Sequence, residues 1–113
     1  MIGVSQKIPD SLKNRSYVEL DSLYNKEWND TLIASTYAKA YLLKAKEEND
    51  SIEIADAYVK LGEISKIERG LKYADSILLI TKNSPHKSYP ARAHVLKSYL
   101  FYNNGNYLSL IHI

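Results

Sequence analysis

The sequence contains no cysteine, which excludes disulfides, thiolate metal sites and cysteine nucleophiles. Its four glycines are scattered, so there is no glycine-rich loop to cradle a phosphate. The three histidines, His86, His94 and His112, show no i, i+4 pairing and no nearby carboxylates at metal-ligand spacing. No nucleophile-elbow pattern marks a serine. Enzyme activity, a cofactor and a metal are therefore not expected. No apolar run approaches the roughly 18 residues of a membrane span. Charge of one sign is also lacking: 15 basic and 13 acidic residues are interspersed, for a net charge of +2. That distribution argues against nucleic-acid binding through a concentrated basic face. Phenylalanine and tryptophan occur once each, whereas tyrosine occurs ten times. Tyrosine packs its ring while its hydroxyl reaches water, which suits half-buried helix interfaces.

What is present is an internal repeat. Tyr37, Ala38, Leu42, Leu43, Lys46, Ala55, Ala57 and Val59 recur 36 positions later as Tyr73, Ala74, Leu78, Leu79, Lys82, Ala91, Ala93 and Val95. About two identities would be expected by chance over such a stretch, so a repeat architecture leads. With 113 residues and 45% apolar content, the chain has room for one domain with a modest core.

The periodicity within the repeat is helical. Ser16 with Glu19 forms a capping-box signature before a helix over about 17–26, with Tyr17, Leu20, Leu23 and Tyr24 on one face. Trp28-Asn29-Asp30 breaks it. Asp30 or Thr31 caps a second helix over about 31–48, whose Ala34, Tyr37, Ala38, Tyr41, Leu42 and Ala45 follow i, i+3, i+4 spacing. Asp50 with Glu53 resembles another capping pair and opens a helix over about 51–65 carrying Ile54, Ala55, Tyr58, Leu61 and Gly62. A fourth helix, about 67–82, carries Ile67, Leu71, Ala74, Ile77, Leu78 and Thr81. Ser88 and Pro90 suit the start of a fifth, which continues to about Tyr102. Asn103-Asn104-Gly105-Asn106 is a strong turn signal, and a sixth helix is expected from Tyr107. Short polar connections make successive helices antiparallel neighbours, so each 36-residue period is one helical hairpin.

These residues resemble the tetratricopeptide repeat, which pairs two helices in about 34 residues. Ala38-x3-Leu42-x2-Ala45 matches the small-residue pattern of the family's second helix, and Ala74-x3-Leu78-x2-Thr81 matches it more loosely. Tyr58-x2-Leu61-Gly62 resembles the first-helix pattern. The next copy reads His94-x2-Lys97-Ser98, then Phe101, Gly105 and Tyr107, with Lys97 in place of the usual leucine and Leu96 beside it. Gly70 is an alternative to Ala74 as the small residue of its helix. The resemblance implies an all-α fold of antiparallel hairpins stacked as a right-handed α-solenoid, about two and a half repeats over residues 16–113, C-terminally incomplete. It also implies a concave protein-binding face, which maps to Asp56, Val59, Glu63 and Lys66 on the third helix and to Arg92, Val95, Tyr99 and Tyr102 on the fifth. Val59 and Val95 could equally pack between repeats.

The N-terminal run from Ser5-Gln6-Lys7-Ile8-Pro9-Asp10-Ser11-Leu12 through Ser16-Tyr17 to Tyr37-Ala38 is similar to the sensor region of bacterial tetratricopeptide regulators of the AraC type. Those proteins add a membrane span and a DNA-binding domain, neither of which this chain contains. Residues 1–15 read as an N-terminal extension, either frayed or the remnant of a signal sequence. The second alternative implies the periplasm and the first the cytoplasm. Asp-Ser/Thr-apolar tripeptides such as Asp30-Thr31-Leu32 and Asp50-Ser51-Ile52 resemble a periplasmic O-glycosylation signal, but they are also what helix starts require. The ending Leu108-Ser109-Leu110-Ile111-His112-Ile113 resembles translated adapter read-through; the alternative is an apolar helix start.

The expected function is a non-catalytic protein-protein interaction module, the sensor or scaffold fragment of a bacterial signalling or transcriptional regulator. The alternative is a stand-alone helical-repeat assembly scaffold. A protein or peptide partner is expected, with no nucleic acid bound, no membrane span, and self-association through the C-terminal end.

Overall fold

A computed structural model describes residues 9–82 and 91–102. The expectations for residues 1–8, for the start of the fifth helix before residue 91 and for the segment from Asn103 onward lie outside the described residues. Helices α1 (Asp10–Lys13), α2 (Tyr17–Lys26), α3 (Thr31–Glu47), α4 (Ser51–Glu63) and α5 (Ile67–Thr81) follow one another, and residues 91–102 form a further helix, α6. No strand occurs among the described residues.

Local chemistry sets the boundaries. Ser16 caps α2 with a complete capping box: its hydroxyl accepts from the Glu19 amide, and the Glu19 carboxylate accepts from the Ser16 amide. Asp30 caps α3 through the Ile33 amide. Asn49 has φ 55°, a left-handed conformation that asparagine tolerates. Its amide bonds Lys46 O and the next amide, of Asp50, bonds Ala45 O, which closes α3 in a Schellman turn. Asp50 then caps α4 through the amides of Ile52 and Glu53. The Glu53 carboxylate does not complete a box; it receives the Tyr41 hydroxyl instead. One residue thus ends a turn and starts a helix, which reverses the chain within three positions.

The faces follow the helical period. Leu20 and Tyr24 of α2 are buried, as are Ala34, Ala38, Tyr41 and Ala45 of α3 and Ala74, Ile77 and Thr81 of α5. Thr81 is polar, but its hydroxyl donates to Ile77 O at 2.6 Å, so the burial leaves no unpaired group. Each helix from α2 to α5 packs on its sequence neighbours. Helix α4 is covered on both flanks, and every residue from Ile52 to Glu63 is buried or half-buried. Its small residues make that approach possible: Ala57 packs with Leu20 and Tyr41, whereas Ala55 packs with Ala74, Ala93 and Leu96.

Two glycines set how closely α6 approaches. A Cβ on Gly62 would lie 2.7 Å from Leu96 Cδ2. One on Gly70 would lie 2.7 Å from Leu100 Cδ1 and 3.2 Å from Gly62 O. Gly70 and Ala74 therefore both serve as buried small residues of α5. Leu96, 1% exposed, supplies the apolar contact that the repeat pattern assigns to position 97. Lys97 is half-buried and pairs with Asp75 at 3.4 Å.

The structure departs from the sequence reading at the N-terminal side. Within the N-terminal extension, Pro9 leads into the helical turn α1, which buries Leu12 against Leu20, Ala40 and Tyr41. Four residues are too few to show periodicity, and Ala40, off the main apolar stripe of α3, is buried because Leu12 covers it.

Two stability outcomes follow. Ala38→Glu puts a charge into a seam where Ala38 is fully buried, and denaturant melts should show a loss of about 3 kcal/mol or more. Gly62→Ala and Gly70→Ala gain about 1 kcal/mol of helix propensity but force overpacking of about 1–3 kcal/mol. Both should destabilise, Gly70→Ala more, because backbone as well as Leu100 stands in the way. Stabilisation by either, as at an open helix position, would contradict this packing.

Candidate protein-binding groove

A surface groove of about 400 Å³ runs across α2 and α4 to the start of α6. Tyr17, Val18, Asp21 and Ser22 of α2 form one side, and Glu53, Asp56 and Lys60 of α4 the other. Tyr41 of α3 and Arg92 of α6 complete the lining. The helical period places Val18, Asp21 and Ser22 on one face of α2, and Glu53, Asp56 and Lys60 on one face of α4.

Lys60 is the centre of this groove. Its side chain is only 12% exposed, and its ammonium pairs with Asp21 Oδ1 at 2.8 Å. It also lies 4.3 Å from the centroid of the Tyr41 ring and 5.8 Å from that of Tyr24. An aliphatic stem on apolar surface, with the charge held by a carboxylate and aromatic faces, makes this degree of burial tolerable. Arg92 pairs with Asp56, tying α6 to α4. The remaining acids are held by tyrosines. The Tyr41 hydroxyl donates to Glu53 Oε1 at 2.6 Å. The Tyr24 hydroxyl lies 2.8 Å from Lys60 O and 3.0 Å from Glu63 Oε1. Burial, aided by these carboxylates, raises the tyrosine pKa values of Tyr24 and Tyr41, so both rings stay neutral donors. Beside the groove, Tyr17 donates to Glu48 Oε1 at 2.6 Å, and Lys44 pairs with Glu48 at 3.0 Å. The Tyr17 hydroxyl, followed by Lys44, holds the Glu48 carboxyl below its ordinary range.

Of the site residues expected from sequence, the structure brings Asp56 and Arg92 together in the groove. Val59 and Tyr99 are half-buried against the cluster of Ala55, Ala74, Ala93 and Leu96. Glu63 is half-buried beneath the Tyr24 hydroxyl. Lys66 is exposed and lines a different cleft, with Glu68, Arg69 and Lys72. Val95 and Tyr102, each 68% exposed, lie two turns apart on one exposed face of α6. The groove also takes in Tyr17, Tyr41 and Glu53, which the sequence marks only as helix-face or capping residues, and Val18, Asp21, Ser22 and Lys60, which it does not mark. Asp21 and Lys60 lie off the 36-residue repeat, so its spacing gives no signal for their pairing.

Among the described residues, no group of His, Cys, Asp and Glu is arranged to hold a metal ion. No helix among them is long and apolar enough to cross a membrane. No family model, curated protein or solved structure matches this chain.

The Glu63 carboxyl titrates above its ordinary value because burial penalises the charge, although the Tyr24 hydroxyl and Lys60 oppose the shift. A raised folded pKa favours the folded state below the unfolded pKa, and that contribution is lost as pH rises through the folded value. Glu63→Gln removes the charge and keeps an acceptor for Tyr24. Its stability relative to the parent should therefore rise between pH 4 and pH 7, measured as paired denaturant melts. A constant difference across that range would contradict the assignment.

Proposed function

We propose that this chain is a non-catalytic protein-protein interaction module, a tetratricopeptide-like stack of helical hairpins that holds an extended peptide in the groove across α2, α4 and α6. The observation that carries the reading is a pair of ion pairs along one wall of the groove. Asp21–Lys60 joins α2 to α4, and Asp56–Arg92 joins α4 to α6. Ion pairs across adjacent helices match four of the groove's five charges and Tyr41 holds the fifth, Glu53, so its surface offers polar contacts and the exposed Val18 without a strong field. An extended segment can meet such a wall through alternate side chains. On this reading the chain is the sensor or scaffold portion of a bacterial signalling or transcriptional regulator.

A second reading, an assembly scaffold that self-associates, is favoured by one observation. Helix α6 exposes Val95 and Tyr102 two turns apart on one face, and Phe101 is exposed next to Tyr102.

Selection from a displayed library of random peptides about 12 residues long tests the first reading. Enriched peptides should bind the full chain and lose about tenfold or more in affinity with Val18→Asp, while helix content stays unchanged. Failure to enrich any peptide, or enrichment indifferent to Val18→Asp, would contradict the groove assignment. Sedimentation of Phe101→Ser beside the parent chain separates the scaffold reading, which requires the parent to associate and the variant to do so less.

A further inference from the structure

The α2–α4–α6 groove pairs both of its cations with carboxylates, but a second region leaves its cations unpaired. Two clefts meet at Ile64, Ser65 and Arg69, where the N-terminal half of α3 approaches the α4–α5 turn. One, of about 550 Å³, is lined by Lys66, Arg69 and Lys72. The other, of about 250 Å³, is lined by Lys39, Arg69 and the hydroxyl residues Thr31 and Ser35. Its floor is apolar, built from Leu61, Ile64 and Tyr73, and Leu32 stands at its rim 79% exposed.

Lys39, Lys66, Arg69 and Lys72 are all exposed, and among the described residues none has a carboxylate within ion-pair distance. Glu68 is the one acid in the lining of the two clefts. Four cations against one carboxylate leave a local excess on a chain whose total is only +2. Along this surface like charges repel, and an anionic partner relieves that repulsion. Helix α5 adds to the field: its N-cap Lys66 supplies no capping side chain, whereas α2, α3 and α4 are capped by Ser16, Asp30 and Asp50.

We propose that these joined clefts dock an acidic peptide segment that carries an apolar side chain. Arg69 lies where the clefts meet and can hold a carboxylate through two parallel N–H···O bonds. Lys66 and Lys72 on one side and Lys39 on the other are spread for carboxylates along an extended chain. The floor of Leu61, Ile64 and Tyr73, with Leu32 at the rim, gives an intervening apolar residue a place out of water. A recessed, partly apolar floor fits a side chain better than it fits the flat face of a lipid bilayer. The low total charge also gives little of the long-range attraction that nucleic-acid binding exploits. This site is separate from the α2–α4–α6 groove, so either can fail without the other.

The probe is a fluorescein-labelled synthetic peptide of 12 residues, rich in Asp and Glu with two leucines, followed by fluorescence anisotropy on the full chain. Saturable binding is expected, weakening about tenfold or more in the Arg69→Gln/Lys72→Gln variant, and weakening as salt rises from about 50 to about 300 mM. Lys39→Gln/Lys66→Gln should weaken it independently. Lys26→Gln/Lys46→Gln removes the same charge from elsewhere on the surface and should leave affinity within about twofold. Replacing both leucines by serine in the peptide should also weaken binding. Absence of binding, equal loss with the Lys26/Lys46 variant, or preference for the charge-reversed peptide would overturn the proposal. So would tighter binding of phosphatidylglycerol vesicles or of a single-stranded oligonucleotide than of the acidic peptide.

Discussion

The close approach of helices on both flanks of α4 is the constraint on which the rest of the structure depends. A helix with long side chains on two faces would hold its neighbours about 10 Å away. Helix α4 presents Ala55, Ala57 and Gly62 to them instead, all buried. On one flank Ala57 admits Leu20 and Tyr41; on the other, Gly62 admits Leu96. With those contacts made, α2, α4 and α6 stand near enough for single ion pairs to span them, and the groove is a consequence of that spacing. The buried seam also explains why the tyrosines reach so many acids. Rings fill the space that small residues leave, and hydroxyls emerge beside Glu48, Glu53 and Glu63.

Charge is distributed unevenly between the two grooved surfaces. In the α2–α4–α6 groove, acids and bases pair with one another, and Glu53 accepts the Tyr41 hydroxyl. Around Arg69 four cations stand against the single carboxylate of Glu68. A net charge near zero for the whole chain conceals this, because composition sums over faces that the fold separates.

Much of the helical layout was legible in the sequence, and the reasons are local. Ser16, Asp30 and Asp50 are caps whose side chains can be read directly, and the stripe Ala34, Ala38, Tyr41 and Ala45 needs only the 3.6-residue period. Helix α1 was not legible, since four residues show no period and the burial of Leu12 depends on α3. The groove was legible only in part. Asp56 and Arg92 follow from the repeat spacing, but Lys60 reads as an ordinary surface lysine until Asp21, Tyr24 and Tyr41 surround it. Lys66 was assigned to the same face as Asp56, yet it falls after the end of α4 at Glu63, where the chain turns into a different cleft.

The most direct test of the small-residue seam is a nuclear Overhauser measurement on methyl-labelled full-length protein. The account predicts strong cross-peaks from the Leu96 δ-methyls to the Gly62 Hα protons and from the Leu100 δ-methyls to those of Gly70. Absence of both, with α4 and α5 intact by chemical shift, would mean that α6 does not enter the seam, and would contradict the packing on which the groove rests.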